Sequence, residues 1–337
     1  MSNAVSAADS GITVAVTGVG AIIGQGIINS LRRSGRRVRI VGVDRSRRSP
    51  APYLVDVFEQ KPDVDERSPA YVDFWQHIIK THGIQLIMPG LESDAGFFHQ
   101  HRQVFQSGTA SVVLNSADLI DATADKWIFG QRLAAIGYPA IPSLQPREWA
   151  EAVNTLGPPP LLLKPLRGNG SRGIVVLEDE RDFAYWKHKT QTEWMLQRIV
   201  GQAGEEYTVA VFGLGEGRVI GPLILRRKLS TAGNTQEAEV VLDHPVIARA
   251  VNTLVQHFQP VGPTNLQFRI EGETAWLLEI NPRFSSSNSL RTAFGFNEAA
   301  MAIDYYLFNQ TPGTPNISTG IGWRYAEDYV IHDRDTV

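Results

Sequence analysis

Glu279, Asn281 and Arg283 recur at every second position in the stretch Trp276-Leu-Leu-Glu-Ile-Asn-Pro-Arg283. The stretch is short, apolar and bounded by polar residues, as a buried strand is, and alternate residues of a strand point to one face. A carboxylate, an amide oxygen and a guanidinium on one face suit Mg²⁺ carried by a polyphosphate. A half-buried strand with a polar edge is the competing reading. Upstream, Asn265-Leu-Gln-Phe-Arg-Ile270 alternates in the same way, and the turn-like Glu271-Gly272-Glu273 joins the two. Antiparallel pairing across that hairpin sets Gln267 beside Glu279.

A second constellation precedes these strands. The apolar run Leu161-Leu-Leu163 ends in Lys164-Pro165 and continues into Leu166-Arg-Gly-Asn-Gly-Ser-Arg-Gly173. A glycine-rich loop exposes N–H groups that can fold over phosphates, and a lysine on the strand before it reaches them as a point charge. A plain flexible turn is the alternative, but a buried strand rarely ends in a cation without a partner. The order is not that of a Walker A loop, because the lysine precedes the glycines.

Taken together these motifs resemble the ATP-grasp superfamily, and within it the carbamoyl-phosphate-synthetase-like carboxylate–amine ligases, from Ile12 to about Leu307. The resemblance implies ATP and Mg²⁺ (or Mn²⁺), with two ions: Gln267 and Glu279 as ligands, Asn281 on the second ion, and Arg283 as a clamp on the transferring phosphoryl group. It further implies a first phosphate contact from Lys126 in the Asp125-Lys126 pair, a second from Lys164, and a covering loop of Arg167, Gly168, Gly170, Ser171 and Gly173. Adenine would be read by Gln197, Arg198, Ile199 and Val200, largely through backbone, and ribose by Glu206. The implied activity is attack of a carboxylate on the γ-phosphorus and capture of the acyl phosphate by an amine, releasing ADP and phosphate.

Other residues are candidates on their own chemistry. Arg226-Arg-Lys228 ends a strand, and Lys228 there would neutralise a developing acyl phosphate or bind a carboxylate; an exposed loop is the bland account. The run Phe284-Ser-Ser-Ser-Asn288 caps the next helix or binds the carboxylate substrate through Ser285, Ser287 and Asn288, with Arg291 as a bidentate partner. In Gly90-Leu-Glu-Ser-Asp94, Glu92 and Asp94 lie beyond the carboxyl end of a parallel strand, where ligands of such sheets collect. Glu92 is the substrate candidate.

The elements that position these residues give a mixed α/β and α+β chain. Ile12-Thr-Val-Ala-Val16, the glycines at 18, 20 and 24, a helix through Leu31 and a strand ending in Asp44 form a Rossmann-like unit. A dinucleotide site with Asp44 on the ribose is the obvious reading of that turn. Tyr185-Trp-Lys-His-Lys189 matches the Tyr-x-x-x-Lys pair of short-chain reductases, so an NAD(P)-dependent reductase is the runner-up, and a non-catalytic nucleotide-binding module a third reading. The division expected is a Rossmann-like pre-ATP-grasp domain over 1–115, a lid lobe over 116–196 and a metal-bearing lobe over 197–337.

Composition narrows the classes. The chain has 337 residues, 43% hydrophobic content, a formal net charge of −3 and no cysteine. It can bury a large core, has no general attraction for nucleic acid or an acidic membrane, and has no thiolate chemistry. The eight arginines between Arg32 and Arg48 have no interleaved aromatics and read as a solvated face. With no signal-like start and no membrane span, a cytoplasmic protein acting on small carboxylate and amine substrates is expected, with no nucleic-acid or membrane partner. A homodimer is left open.

Overall fold

The computed structural model describes residues 11–168, 173–202, 204–230 and 233–332. These fall into two compact units. The first comprises residues 1–114, 283–316 and 322–337; the second comprises 115–282 and 317–321.

The first unit is built on a parallel sheet of β1 (Ile12–Thr17), β2 (Val38–Asp44), β3 (Val57–Gln60), β4 (Leu86–Met88) and β5 (Ser111–Val112), in the order β3-β2-β1-β4-β5. Every residue of β1 is buried, as a central strand covered on both faces requires. Its glycine turn is closed by packing: a Cβ on Gly24 would lie 2.2 Å from the Gly18 carbonyl oxygen. Asp44 accepts a hydrogen bond from Gly20 N at 2.8 Å. The acid at the end of β2 is therefore spent on its own loop, which removes the main support for a dinucleotide reading.

The segment from Arg283 belongs to this unit, not to the metal-bearing lobe expected from the sequence. The reason is a set of contacts with helix Ile22–Arg32. Helix Asn288–Ala293 approaches it so closely that a Cβ on Gly26 would lie 1.7 Å from Asn288 Oδ1. Ser30 and Thr292 share a hydroxyl hydrogen bond of 2.7 Å, and Asn297 Nδ2 donates to the Ser30 carbonyl at 2.9 Å.

The second unit has two antiparallel sheets. The smaller contains β6 (Ser143–Leu144), β7 (Leu161–Pro165), β8 (Val175–Leu177) and β9 (Trp194–Arg198), in the order β6-β9-β7-β8. Helices Trp149–Leu156 and Glu180–Lys189 cover it through a core that includes Leu156, Leu161, Leu163, Phe183 and Leu196. The larger runs β14-β13-β10-β11-β12, from β10 (Glu206–Gly215), β11 (Arg218–Leu229), β12 (Thr235–Val241), β13 (Val261–Glu271) and β14 (Thr274–Asn281).

Two expected boundaries shift. Helices Ala117–Thr123 and Lys126–Ala135 bury Leu119, Phe129 and Leu133 in one core with Val209 and Phe268 of the larger sheet and Leu254 of helix Pro245–Phe258, so they belong with that sheet and not with the lid. The line drawn at 196/197 would cut β9, which continues to Arg198 as the partner of β7.

Candidate active site

A cavity of about 340 Å³ lies within the second unit and is lined by Lys126, Lys164, Glu206, Arg227, Gln267 and Glu279, among others. That is the lower range of small-molecule sites. Its acidic wall comes from the β13–β14 hairpin. Gln267 stands directly opposite Glu279 in the ladder, and the next pair is Phe268 with Leu277, so Leu278 is an extra residue on β14. Such a bulge bends the strand and re-aims side chains. Leu278 and Glu279, consecutive in sequence, both line the cavity. Asn281 Nδ2 donates to Glu279 Oε1 at 2.8 Å, which ties the amide to the carboxylate.

The basic wall comes from β7 and the start of helix Lys126–Ala135. Lys164 is buried and donates from Nζ to Gln197 Oε1 at 3.0 Å, and Gln197 Nε2 donates in turn to Ser143 Oγ at 2.9 Å. Burial draws the Lys164 pKa down to about 8; the Glu279 carboxylate pulls it up, and Lys126 and Arg269 add to the lowering. Lys126 follows the helix cap Asp125, whose Oδ1 accepts from the backbone N–H groups of Trp127 and Ile128 at 3.0 and 3.2 Å. Its Nζ donates to the Gly168 carbonyl at 2.7 Å. Gln197, Arg198, Ile199 and Val200 border the same cavity, with Ile141, Leu162 and Val176 supplying apolar surface.

Glu206 is held from both sides. Arg227 donates to its Oε1 from Nη2 at 2.8 Å and from Nε at 3.1 Å, while Arg269 Nε donates to Oε2 at 3.0 Å. Arg227 also donates to Gln267 Oε1 at 2.5 Å. This arginine was missed in the sequence, where Lys228 was expected in the cleft. Along this strand Leu223, Ile224, Leu225 and Arg227 are buried while Arg226 and Lys228 are exposed. Lys228 is 72% exposed in its side chain and pairs with Glu237 at 2.7 Å, away from the cavity lining.

Of the covering loop, Gly168 lines the cavity. Arg167 is exposed, pairs with Asp125 at 3.4 Å and is outside the lining, as is Gly173. Gly170 and Ser171, with Arg172, lie outside the described residues. The Tyr185 and Lys189 pair is on the exposed face of its helix, Lys189 Nζ donating to Tyr185 Oη at 2.7 Å.

The remaining candidates lie in the first unit. Arg283 donates to Glu92 Oε2 at 3.1 and 3.3 Å and to the Phe284 carbonyl at 3.0 Å. Ser285 and Ser287 are buried with their hydroxyls 3.0 Å apart, and Asn288 Nδ2 donates to the Ile23 carbonyl at 3.2 Å. Arg291 is fully buried, and its Nη1 donates to both carboxylate oxygens of the equally buried Glu298 at 3.1 Å. It therefore stabilises the helix junction and is not placed to clamp a substrate carboxylate. Asp94 is likewise buried, against Lys61. Glu92 differs from it in staying partly exposed at the start of its helix.

The donors fit Mg²⁺ only in company with phosphate. Among the described residues no group of three or more His, Cys, Asp or Glu side chains could hold a metal. Glu279 is the sole carboxylate of the Gln267, Glu279 and Asn281 set, and Mg²⁺ is commonly held by one or two carboxylates plus substrate phosphates. Lys126 and Lys164 across the cavity match the phosphates such a metal would bring.

Two family models match the sequence. One, described as ATP-grasp in the biosynthetic pathway with Ter operon, covers residues 190–329, and a PylC-like N-terminal domain covers residues 14–113. The carboxy-terminal part of the chain, residues 190–329, thus matches an ATP-grasp family. Solved structures share the fold of this chain at low identity. N5-carboxyaminoimidazole synthetase from Staphylococcus aureus, complexed with ADP, is 18% identical with a TM-score of 0.70, over 91% of this chain and 80% of that one. Biotin carboxylase from Campylobacter jejuni, in a β,γ-ATP complex, is 17% identical with a TM-score of 0.65, over 86% and 70%. The biotin carboxylase domain of the Hydrogenobacter thermophilus 2-oxoglutarate carboxylase, with MgADP, ADP and bicarbonate, is 13% identical with a TM-score of 0.69, over 89% and 71%. No curated protein sequence matches. No helix among the described residues is long and apolar enough to cross a membrane.

Proposed function

We propose that this chain is an ATP- and Mg²⁺-dependent ligase that activates a carboxylate as its acyl phosphate and couples it to an amine. The observation that carries the reading is the registered Gln267–Glu279 pair, with Asn281 bonded to it, bordering the same cavity as Lys126 and Lys164. Opposed acidic and basic walls suit a metal polyphosphate and not a hydride donor.

In this reading the apolar side of the cavity takes adenine against Gln197–Val200, where backbone groups follow the end of β9. Glu206 keeps its arginine partners and accepts ribose hydroxyls on its remaining lone pairs. Lys126 and Lys164 exchange Gly168 and Gln197 for phosphate oxygens, with Gly168 bordering the same cavity. Gln267 and Glu279 hold one ion and Asn281 the second. Bound Mg²⁺ supplies neutralisation of the charge on the transferring phosphoryl group. Positioning and electrostatics account for the transfer, so no residue acts as a covalent nucleophile. Glu92 is kept as a substrate-side candidate, while Arg283, expected as the phosphoryl clamp, is held in an ion pair with it; Ser285, Ser287 and Asn288 are reassigned to the helix junction.

Calorimetric titration of the purified protein with Mg-ATP and, separately, with NADPH tests the reading. Binding of Mg-ATP with no signal from NADPH is expected. Binding of NADPH alone would promote the reductase.

A further inference from the structure

A second cavity, of about 430 Å³, opens within the first unit and is lined by residues of that unit alone. One side is helix Ile22–Arg32 and its cap, which present Gln25, Asn29 and Arg33 at four-residue intervals and so along one stripe. The other is the extended segment Trp323-Arg324-Tyr325, with Leu290 and Ala293 between. Each side contributes an arginine, and among the described residues no acidic one belongs to the lining.

Several observations show that this wall is positioned by packing. A Cβ on Gly322 would lie 3.0 Å from Leu290 Cδ2 and 3.1 Å from Phe294 Cζ, so the segment is laid tightly on helix Asn288–Ala293 just before Trp323. Arg324 donates to the Ser286 carbonyl, which orients its guanidinium. Burial lowers its pKa, the sign of a cation with reduced hydration. Trp323 and Tyr325 on either side are nonetheless 60% and 79% exposed. Large exposed rings beside an oriented cation are the elements that recognise a flat anion: guanidinium pairs with carboxylate or phosphate in a planar fork, and an aromatic face stacks on a ring.

We infer that this cavity is an accessory ligand site that takes a small metabolite with a planar body and one carboxylate or phosphate, the anion shared by Arg33 and Arg324 and the ring laid against Trp323 or Tyr325. Gln25 and Asn29 add neutral hydrogen-bonding groups that read polar substituents on the ring. The volume is that of a metabolite site, larger than an isolated inorganic ion needs. The inference stands apart from the nucleotide reading, because the two cavities share no residue.

The experiment uses the full chain and four probes: benzoate, phenyl phosphate, the neutral isostere benzamide, and acetate. Binding is followed by calorimetry and by tryptophan fluorescence at millimolar probe. The expected result is that benzoate or phenyl phosphate binds and changes the fluorescence, while benzamide and acetate bind at least about tenfold more weakly. Which of the two aromatic anions binds tighter distinguishes a carboxylate from a phosphate ligand. Trp323→Phe should abolish the fluorescence change, and Arg33→Gln, at an exposed position, should weaken binding about tenfold without loss of fold. Arg324→Gln should do the same, with its folding checked by circular dichroism. The inference is overturned if no aromatic anion binds, if benzamide binds as well as benzoate, if Arg33→Gln changes nothing, or if Lys164→Ala removes the signal and so places the probe in the nucleotide cavity.

Discussion

Gln267 faces Glu279 across the β13–β14 ladder, and the register then skips Leu278. The bulge lets Leu278 and Glu279 border one cavity, the aliphatic side chain beside the carboxylate. If Glu279 supplies the protein's charge to the metal, Glu279→Gln removes what an amide cannot replace. Turnover should fall roughly 10²–10³-fold, with the thermal transition little moved. Steady-state ADP release and a melting curve on the same preparation decide it; unchanged turnover would make Glu279 a strand residue only.

Lys164 predicts a pH dependence. Its pKa is drawn down to about 8, from the ordinary lysine value of 10.5, chiefly by burial. Above pH 8 the free protein therefore has a neutral lysine facing Glu279, and polyphosphate binding restores the proton. Mg-ATP affinity should weaken as pH rises past 8, and binding should take up a proton, seen by calorimetry in buffers of different ionisation heat. For stability the sign is opposite. Between about 8 and 10.5 the folded chain binds fewer protons than the unfolded chain, so this group's contribution to stability rises with pH across that window. Lys164→Met should abolish both trends, and a proton uptake that persists in it would assign the effect to another group.

Arg227 and Lys228 are adjacent and should behave oppositely. Lys228 forms an exposed pair with Glu237, of a kind worth about 0–1 kcal/mol. Lys228→Ala should leave kcat/KM within about twofold. Arg227→Ala leaves Glu206 and Gln267 without a shared donor, and breaking such a buried pair costs about 3–5 kcal/mol. Its nucleotide affinity should drop with its stability. Equal kinetic effects from the two variants would contradict the assignment.

Arg291 and Glu298 form a pair with both side chains fully buried. Arg291→Met alone strands the carboxylate and should cost about 3–5 kcal/mol, while Arg291→Met with Glu298→Leu should recover most of that. Urea unfolding measures both. Mg-ATP affinity per folded molecule should be the same in wild type and double variant, since the pair holds helix Asn288–Ala293 in place and is not a ligand group.

The sequence made some of this site legible and not the rest. The pairing of Gln267 with Glu279 was readable because hairpin and alternation together set a register, and the burial of Lys164 because it ends an apolar run. Arg227 was obscured by three consecutive basic residues preceded by a run buried on both faces, Leu223, Ile224 and Leu225, so alternation alone did not single it out. Arg291 was misread because its partner Glu298, seven residues on, looks like an ordinary surface acid until the helix junction closes over both. The return of residues 283–316 to the first unit depends on contacts at Gly26 and Ser30, which are far away in sequence and carry no local signal. The inner face of helix Lys126–Ala135 was equally silent, since its burial is set by Phe258 and other distant residues.

The central claim, carboxylate activation by Mg-ATP at the Glu279 face, is tested most directly by ADP release over a matrix of carboxylates against amines, with and without Mg²⁺. The account predicts release that requires Mg²⁺ and a particular carboxylate, rises when a matching amine is present, and disappears in Glu279→Gln. Release that is indifferent to every carboxylate, or that survives intact in Glu279→Gln, would contradict it.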